Sequence, residues 1–507
     1  MIERWARPAV LVPALLAVFA VQAGIAAVRD APTYDEGVHL ASGHAILAGG
    51  EFRGDLPLGT VWAALPLWLS GVPPAGPGPD QYARGCDFIH AGGHPLRRLL
   101  PARAMMIALG AAIGLVVYLW ARELWGVGGA IVSLALFAFS PSMLAHSHLV
   151  TLDAPAALGY AATLWLFWRW TQRPTWGRAA AAGAALGGAL LAKLTMLLLP
   201  PLLIALWLLW ALRPGDGRAE RLRRGALALA LVGAIAAAIL YAGLRFDTER
   251  FTAPLRFFAT GEPRHAYLNG TLYVGGRWHY FLEAGLLKST PATLILAGAV
   301  LVLGLRQSRG RSFNGWFIAG PLAAYLAAVM AFGMNIGHRH ILPLYPLIFL
   351  LCGAAPRLCE GRPRLHLALG ALLAAHAASS LWAAPRHLAY FNALAVGGGH
   401  RYLLNSNLDW GQDLSRLRPA MERHGIAEVH LYYSGTGDPR AYGIPHRKAL
   451  FWPDFRPGEP SHAPASGDHV AVSANILFTQ HVSPFVQLRA RPPIAVAGDS
   501  IYLYRLP

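Results

Sequence analysis

Thr33-Tyr34-Asp35-Glu36-Gly37-Val38-His39 follows directly on an apolar run over residues 8–28. A run of that length can cross a bilayer, for which roughly 20 apolar residues suffice. Two adjacent carboxylates just outside it are costly beside a low-dielectric medium unless they are used. Arg4 and Arg7 precede the run, which fits either a cleaved signal peptide or a retained anchor, and its length favours the anchor.

Working outward, the chain of 507 residues is 55% hydrophobic and only 14% charged, too little charge for an ordinary soluble protein of this size. Apolar runs recur near 98–121, 126–140, 153–170, 178–191, 194–212, 225–244, 288–305, 314–332, 340–354 and 365–384, eleven with the first. The expected fold class is a polytopic α-helical membrane protein. The formal charge of +17 does not point to nucleic acid, because the arginines gather in short loops. One alternate set of short connections holds Arg122; Arg169, Arg173 and Arg178; Arg213, Arg218, Arg221, Arg223 and Arg224; Arg306, Arg309 and Arg311; and Arg357, Arg362 and Arg364. The opposite set holds little beyond Lys193 and Arg339. The positive-inside rule makes the first set and the N-terminus cytoplasmic, and an odd number of spans leaves the C-terminus outside. Cys86, Cys352 and Cys359 form no metal or redox spacing.

Two outer connections are long, 29–97 and 245–287. In the first, 37–47 and 58–69 read as short helices, the second suited to the membrane interface by Trp62, Leu65, Trp68 and Leu69, while 80–97 reads as a polar loop without a period. After residue 384 the long apolar runs stop. Strand-like pieces follow at 428–433, 469–474, 494–497 and 500–504, with a helix at 412–424. The expected division is a membrane domain over 1–384, with its two outer loops, and a small extracytoplasmic α/β domain over 385–507. There is no internal repeat of the kind transporters carry.

Four constellations lie on the expected outer face. Asp35 and Glu36 read either as helix caps or as a pair from which a general base is drawn. Asp153, in Thr151-Leu152-Asp153-Ala154-Pro155 with His146 and His148 upstream, is likewise a cap or a partner that binds a metal or positions a cation. His338, Arg339 and His340 stand at the outer end of a span where positive charge is scarce, so Arg339 either binds a phosphate bidentately or snorkels to headgroups. Lys193 poses the same choice. In Asn405-Ser406-Asn407-Leu408-Asp409-Trp410-Gly411-Gln412-Asp413, amides, carboxylates and Trp410 suit contact with a sugar, whereas turn formation explains Asn407, Asp409 and Gly411 without a ligand. No Walker, Rossmann, zinc-protease or nucleophile-elbow motif is present.

Tyr34-Asp35-Glu36, Asp55-Leu56-Pro57-Leu58, Thr151-Leu152-Asp153-Ala154-Pro155 and His338-Arg339-His340-Ile341-Leu342-Pro343, in this order, resemble the GT-C glycosyltransferases. The branch is similar to the protein O-mannosyltransferase and aminoarabinose-transferase group, the phospholipid carrier-dependent enzymes. The resemblance implies transfer of a sugar from a polyprenyl-phosphate carrier to a lipid, glycan or protein acceptor at the outer face, with inversion. It places the base on Asp35, support or metal linkage on Glu36, and the second-loop acid on Asp153. Donor phosphate falls to Arg339 and Lys193, with His338 and His340 beside them. Asn407, Asp409 and Trp410 are the expected acceptor or sugar contacts. A divalent metal is the one cofactor expected, with Glu36, Asp153 and His148 as its ligands, and the expected location is a bacterial inner membrane. One departure stands out: the basic residue of the group's His-Pro-Pro-Leu or Lys-Pro-Pro-Leu signature is missing at Leu56-Pro57-Leu58, which implies a different donor pocket. The rival reading is a transporter or flippase, whose charges would mark a path through the membrane.

Overall fold

The first apolar run folds as helix α1 (Pro8–Arg29), and the outer connection after it carries α2 (Glu36–Leu47), α3 (Pro57–Leu69) and α4 (Gln81–His90). The computed structural model describes residues 8–50, 56–260, 265–307, 313–454, 456 and 458–506; Arg4, Arg7, Asp55, Arg309 and Arg311 lie outside them. Helix α3 opens with Pro57 in its first turn, where a missing N–H costs nothing. Helix α4 replaces the loop expected at 80–97. Asp80 caps it by accepting from the Tyr82 and Ala83 N–H groups, and Ala83, Cys86 and Ile89 turn inward at three-residue spacing. Arg84 and Asp87 interrupt the apolar pattern over so short a helix, which hides its period. Glycines set how closely these helices cross. A Cβ on Gly37 of α2 would lie 2.9 Å from the Gly85 carbonyl of α4, and one on Gly43 would lie 2.0 Å from the Thr60 oxygen of α3.

The spans expected at 98–121 and 126–140 both lie in α5 (Leu96–Ala138), as two helical segments that meet at a kink at Gly126, where φ is 78° and ψ −173°. There follow α6 (Pro141–Ser147), α7 (Asp153–Gln172), α8 (Trp176–Ala192), α9 (Leu199–Ala211), α10 (Arg218–Gly243) and α11 (Glu249–Thr260). A hairpin of β1 (His265–Leu268) and β2 (Thr271–Val274), not expected from the sequence, precedes α12 (Tyr280–Lys288), α13 (Pro291–Gln307), α14 (Phe313–Phe332), α15 (Leu344–Cys352), α16 (Ala355–Leu358) and α17 (Pro363–Ala383). Among the described residues six helices are long and apolar enough to cross a membrane, seven if α12 and α13, bent by 115°, form one span. The chain is a multi-pass membrane protein. This count differs from the eleven runs because the two segments of α5 are counted together, α8 and α15 have only 17 and 9 residues, and the 288–305 run belongs to the bent pair. Helix α7 sits inside the bundle, with Tyr160, Leu164, Phe167 and Trp170 buried, so it has no need of a uniformly apolar surface.

Beyond α17, helix α18 (Leu414–Arg423) packs on a five-stranded mixed sheet of β3 (Val429–Ser434), β4 (His446–Trp452), β5 (His469–Ser473), β6 (Ala495–Ala497) and β7 (Ile501–Arg505), in the order β4-β3-β5-β7-β6. Strand β3 runs parallel to β4 and β5, and β7 antiparallel to β5 and β6. Strand β4 escapes a sequence reading because Lys448 interrupts its apolar alternation; the buried ammonium pairs with Asp454 at 2.8 Å.

The polar run 405–413 stitches this sheet to the first outer loop. Gln412 accepts from the Ala31 N–H at 2.9 Å and Trp410 from the Tyr34 N–H at 3.0 Å. Arg416 reaches Asp30 at 2.8 Å, and Thr436 donates to the Thr33 carbonyl at 3.1 Å. Asp409 is enclosed within the run, accepting from the Asn475 and Gly411 N–H groups, and burial pushes its carboxyl up to about 7. Folding therefore favours the protonated acid. Its contribution is complete below an unfolded value near 3.8 and is lost as pH rises toward about 7. The difference in unfolding midpoint between wild type and Asp409→Asn should accordingly move against wild type from pH 4 to 7; a pH-independent difference in thermal melts would refute this account.

Candidate active site

Asp35 stands at the N-cap position of α2 and Glu36 at its first residue, yet the two side chains part. The Asp35 carboxylate makes no capping hydrogen bond. Glu36 turns back and inward, where its Oε2 accepts from both the N–H and the hydroxyl of Thr33, at 2.9 and 3.1 Å. Arg103 of α5 meets it as a fork, Nε to Oε1 at 2.8 Å and Nη2 to Oε2 at 2.6 Å, both side chains fully buried. The same guanidinium donates to the Ala27, Asp30 and Ala31 carbonyls, and the Val150 N–H donates to Glu36 Oε1 at 3.1 Å. Burial alone would raise the Glu36 carboxyl, but the Arg103 charge outweighs it and holds the carboxyl below its usual range. Glu36 is thus a clamp that fixes the loop.

With the loop fixed, Asp35 Oδ2 accepts from Arg339 Nη1 at 2.8 Å. The same nitrogen lies 3.5 Å from Asp153 Oδ2, and Lys193 Nζ donates to Asp153 Oδ1 at 2.6 Å. Arg339 sits in the short 3-10 turn His338–Ile341, its guanidinium 4.3 Å from the centre of the Trp410 ring. Asp153 begins α7 without capping it, so both acids expected as possible caps are drawn instead into one ionic quartet with Arg339 and Lys193.

This quartet lines a cavity of about 1420 Å³ that extends from the membrane helices to the sheet. Its wall includes Tyr34, Tyr82, His340, Trp410 and, from edge strand β4, Trp452. Tyr34 packs against Tyr82 and Trp452 with ring centres 5.0 and 5.3 Å apart. Burial and the nearby Tyr82 push the Tyr34 phenol upward, so it stays protonated.

Several expected residues lie elsewhere. Glu36, His148, His338, Asn407 and Asp409 do not line the cavity. His338 Nε2 is bound to the Tyr345 hydroxyl at 2.7 Å. Asn407 braces the loop, accepting from the His338 N–H at 2.8 Å and donating to the Tyr280 hydroxyl at 3.0 Å. Asp409 is occupied by backbone N–H groups as described, leaving Trp410 as the member of that trio placed for ligand contact. The proposed metal ligands do not converge. Glu36 is saturated by Arg103, Thr33 and Val150; His148 pairs with Asp30 at 3.2 Å; and Asp153 faces two cations. Among the described residues no group of three or more His, Cys, Asp or Glu side chains forms a metal cradle. Sequence reasoning missed Arg103, Tyr34 and Trp452. An arginine set inside the apolar 98–121 run, beyond Arg98 at its edge, was the available signal for the first; Tyr34 and Trp452 carry none that separates them from packing aromatics.

Residues 80–243 match the family model for dolichyl-phosphate-mannose-protein mannosyltransferase. The fold is that of ArnT from Cupriavidus metallidurans: the apo structure superposes with a TM-score of 0.54 at 15% identity, covering 98% of this chain and 97% of that one. The structure of the same protein bound to undecaprenyl phosphate gives 0.51 at 14% identity, again over 98% and 97%. The S. cerevisiae Pmt1-Pmt2 protein O-mannosyltransferase complex bound to the sugar donor gives 0.38 at 20% identity, over 48% and 34%. No curated protein matches by sequence. The chain therefore has the GT-C glycosyltransferase fold that its motifs resemble.

Proposed function

We propose that this protein is an integral-membrane glycosyltransferase that moves a sugar from a polyprenyl-phosphate carrier to an acceptor hydroxyl by inverting displacement. The observation that carries this reading is the convergence of Asp35, Asp153, Lys193 and Arg339, from four separate segments, on one cavity. Asp35 takes the acceptor proton as general base while the hydroxyl oxygen attacks the anomeric carbon. Arg339 and Lys193 stabilise the charge that develops on the departing lipid phosphate, with His340 beside them on the wall. Asp153 holds both cations in place. The undecaprenyl phosphate of the ArnT complex has the carrier chemistry this arrangement suits. No step is assigned to a metal, because the donors needed to hold one are engaged elsewhere.

The finer architecture belongs to the same proposal: eleven passes, counting short and bent helices, a cytoplasmic N-terminus, a membrane domain over 1–384 and an extracytoplasmic α/β domain over 385–507, in a bacterial inner membrane. The acceptor enters between that domain and the first outer loop, against Tyr34, Tyr82 and the half-exposed Trp452. Trp452→Ala should raise the acceptor KM about tenfold, the worth of one aromatic contact, and leave kcat nearly unchanged. An unchanged KM would remove this entry. The test of the function itself is purified protein in vesicles supplied with radiolabelled polyprenyl-phosphate sugar. Labelled glycoside product supports it, and directional solute uptake without product would establish a transporter instead.

A further inference from the structure

From the quartet we infer that Arg339 is the shared counter-ion of the base and the leaving group, exchanging the Asp35 carboxylate for the lipid phosphate as the sugar is transferred. This rests on the glycosyltransferase reading of the same site. Two acids and two bases make the quartet formally neutral, so an arriving phosphate meets no surplus cation there and must take one from its partner. The partner that yields is Asp35. Asp153 is almost wholly buried and held by Lys193 at 2.6 Å, whereas the more exposed Asp35 has Arg339, at 2.8 Å, as its one side-chain partner among the described residues. Arg339 also has capacity in reserve: among the described residues its buried Nε meets no hydrogen-bond partner, nor does Asp153 Oδ2, while the guanidinium plane is steadied by Trp410.

Charge conservation then couples the two halves of the reaction. The donor phosphodiester carries one negative charge. As the acceptor oxygen bonds to the anomeric carbon and the bond from that carbon to phosphate oxygen breaks, the phosphate becomes a monoester of charge about −2. The acceptor proton passes to Asp35, which becomes neutral. The negative charge lost at Asp35 thus reappears on the phosphate, and Arg339 follows it without any net change in site charge. The base is spent in the same step that strengthens its competitor's hold on the guanidinium.

The test is equilibrium binding of a short-chain polyprenyl phosphate, the monoester, to the full-length protein in detergent. Asp35→Asn mimics the neutral, post-transfer acid and should bind it about tenfold more tightly than wild type, the worth of one freed charge-assisted hydrogen bond. Asp35→Ser, which lacks an amide to donate to phosphate, should show the same gain, and the gain should vanish in an Arg339→Ala background. Unchanged or weaker binding in the Asp35 variants, or a gain that persists without Arg339, would overturn the exchange. Transfer assays separate this from the parent reading. Variants that lose transfer but gain no affinity refute only the exchange, whereas full transfer by Asp35→Asn refutes the base.

Discussion

The Asp35→Asn protein is expected to lose roughly 10²- to 10⁴-fold in kcat, the usual worth of a positioned general base, while unfolding close to the wild-type temperature. The expectation of a normal fold comes from the geometry. Asp35 caps nothing, and its one described side-chain partner, Arg339, retains Asp153 and the face of Trp410 when the Asp35 charge is removed. A partly exposed ion pair of this kind contributes about 1 kcal/mol or less. Donor KM should not rise, because the donor's cations remain. Transfer of radiolabel from the carrier-linked sugar, set beside a thermal melt of the same preparation, checks all three points. Wild-type kcat in a folded variant would remove Asp35 as the base and leave the quartet as a structural feature.

What the sequence made legible follows the range of the forces involved. Apolar runs report directly on burial in lipid, so the helical class and most helix positions could be read, as could four of the five strands after α17. Lys448 masked the fifth, since a buried ammonium inside a strand depends on Asp454, and nothing local announces that pairing. The site divides in the same way. Asp35, Asp153, Lys193 and Arg339 were legible as charges out of place at an apolar boundary, and the structure brings them together. Asn407 and Asp409 had the same composition as a sugar subsite, but they spend their polarity on backbone groups and on the join to the sheet. A polar loop that binds a ligand and one that braces two layers look alike until their partners are known. The adjacent acids show the limit most clearly: one residue of displacement along α2 sends Asp35 into the cavity and Glu36 into the protein interior.

Glu36→Gln is therefore expected to behave quite differently from its neighbour, lowering stability by about 3–5 kcal/mol because it strands the Arg103 guanidinium as an uncompensated buried charge. Arg103→Leu should cost a similar amount, since it leaves Glu36 unpaired and also abandons the Ala27, Asp30 and Ala31 carbonyls. The two substitutions act on one unit, so the double variant Glu36→Gln/Arg103→Leu should be less destabilised than the sum of the singles. Activity should fall in all three, because the clamp sets the angle at which the chain leaves α1 and thus where Asp35 faces. The discriminating readout is the relation between stability and rate. If Glu36 acted directly on substrate or metal, Glu36→Gln would melt like wild type and fail only in turnover. A clamp predicts that the melting midpoint and kcat fall together, and that restoring the fold by a compensating change at Arg103 recovers part of both. Unfolding midpoints of the four proteins in one detergent, with transfer measured below the lowest of them, complete the cycle; strictly additive losses would show that the pair does not work as one unit.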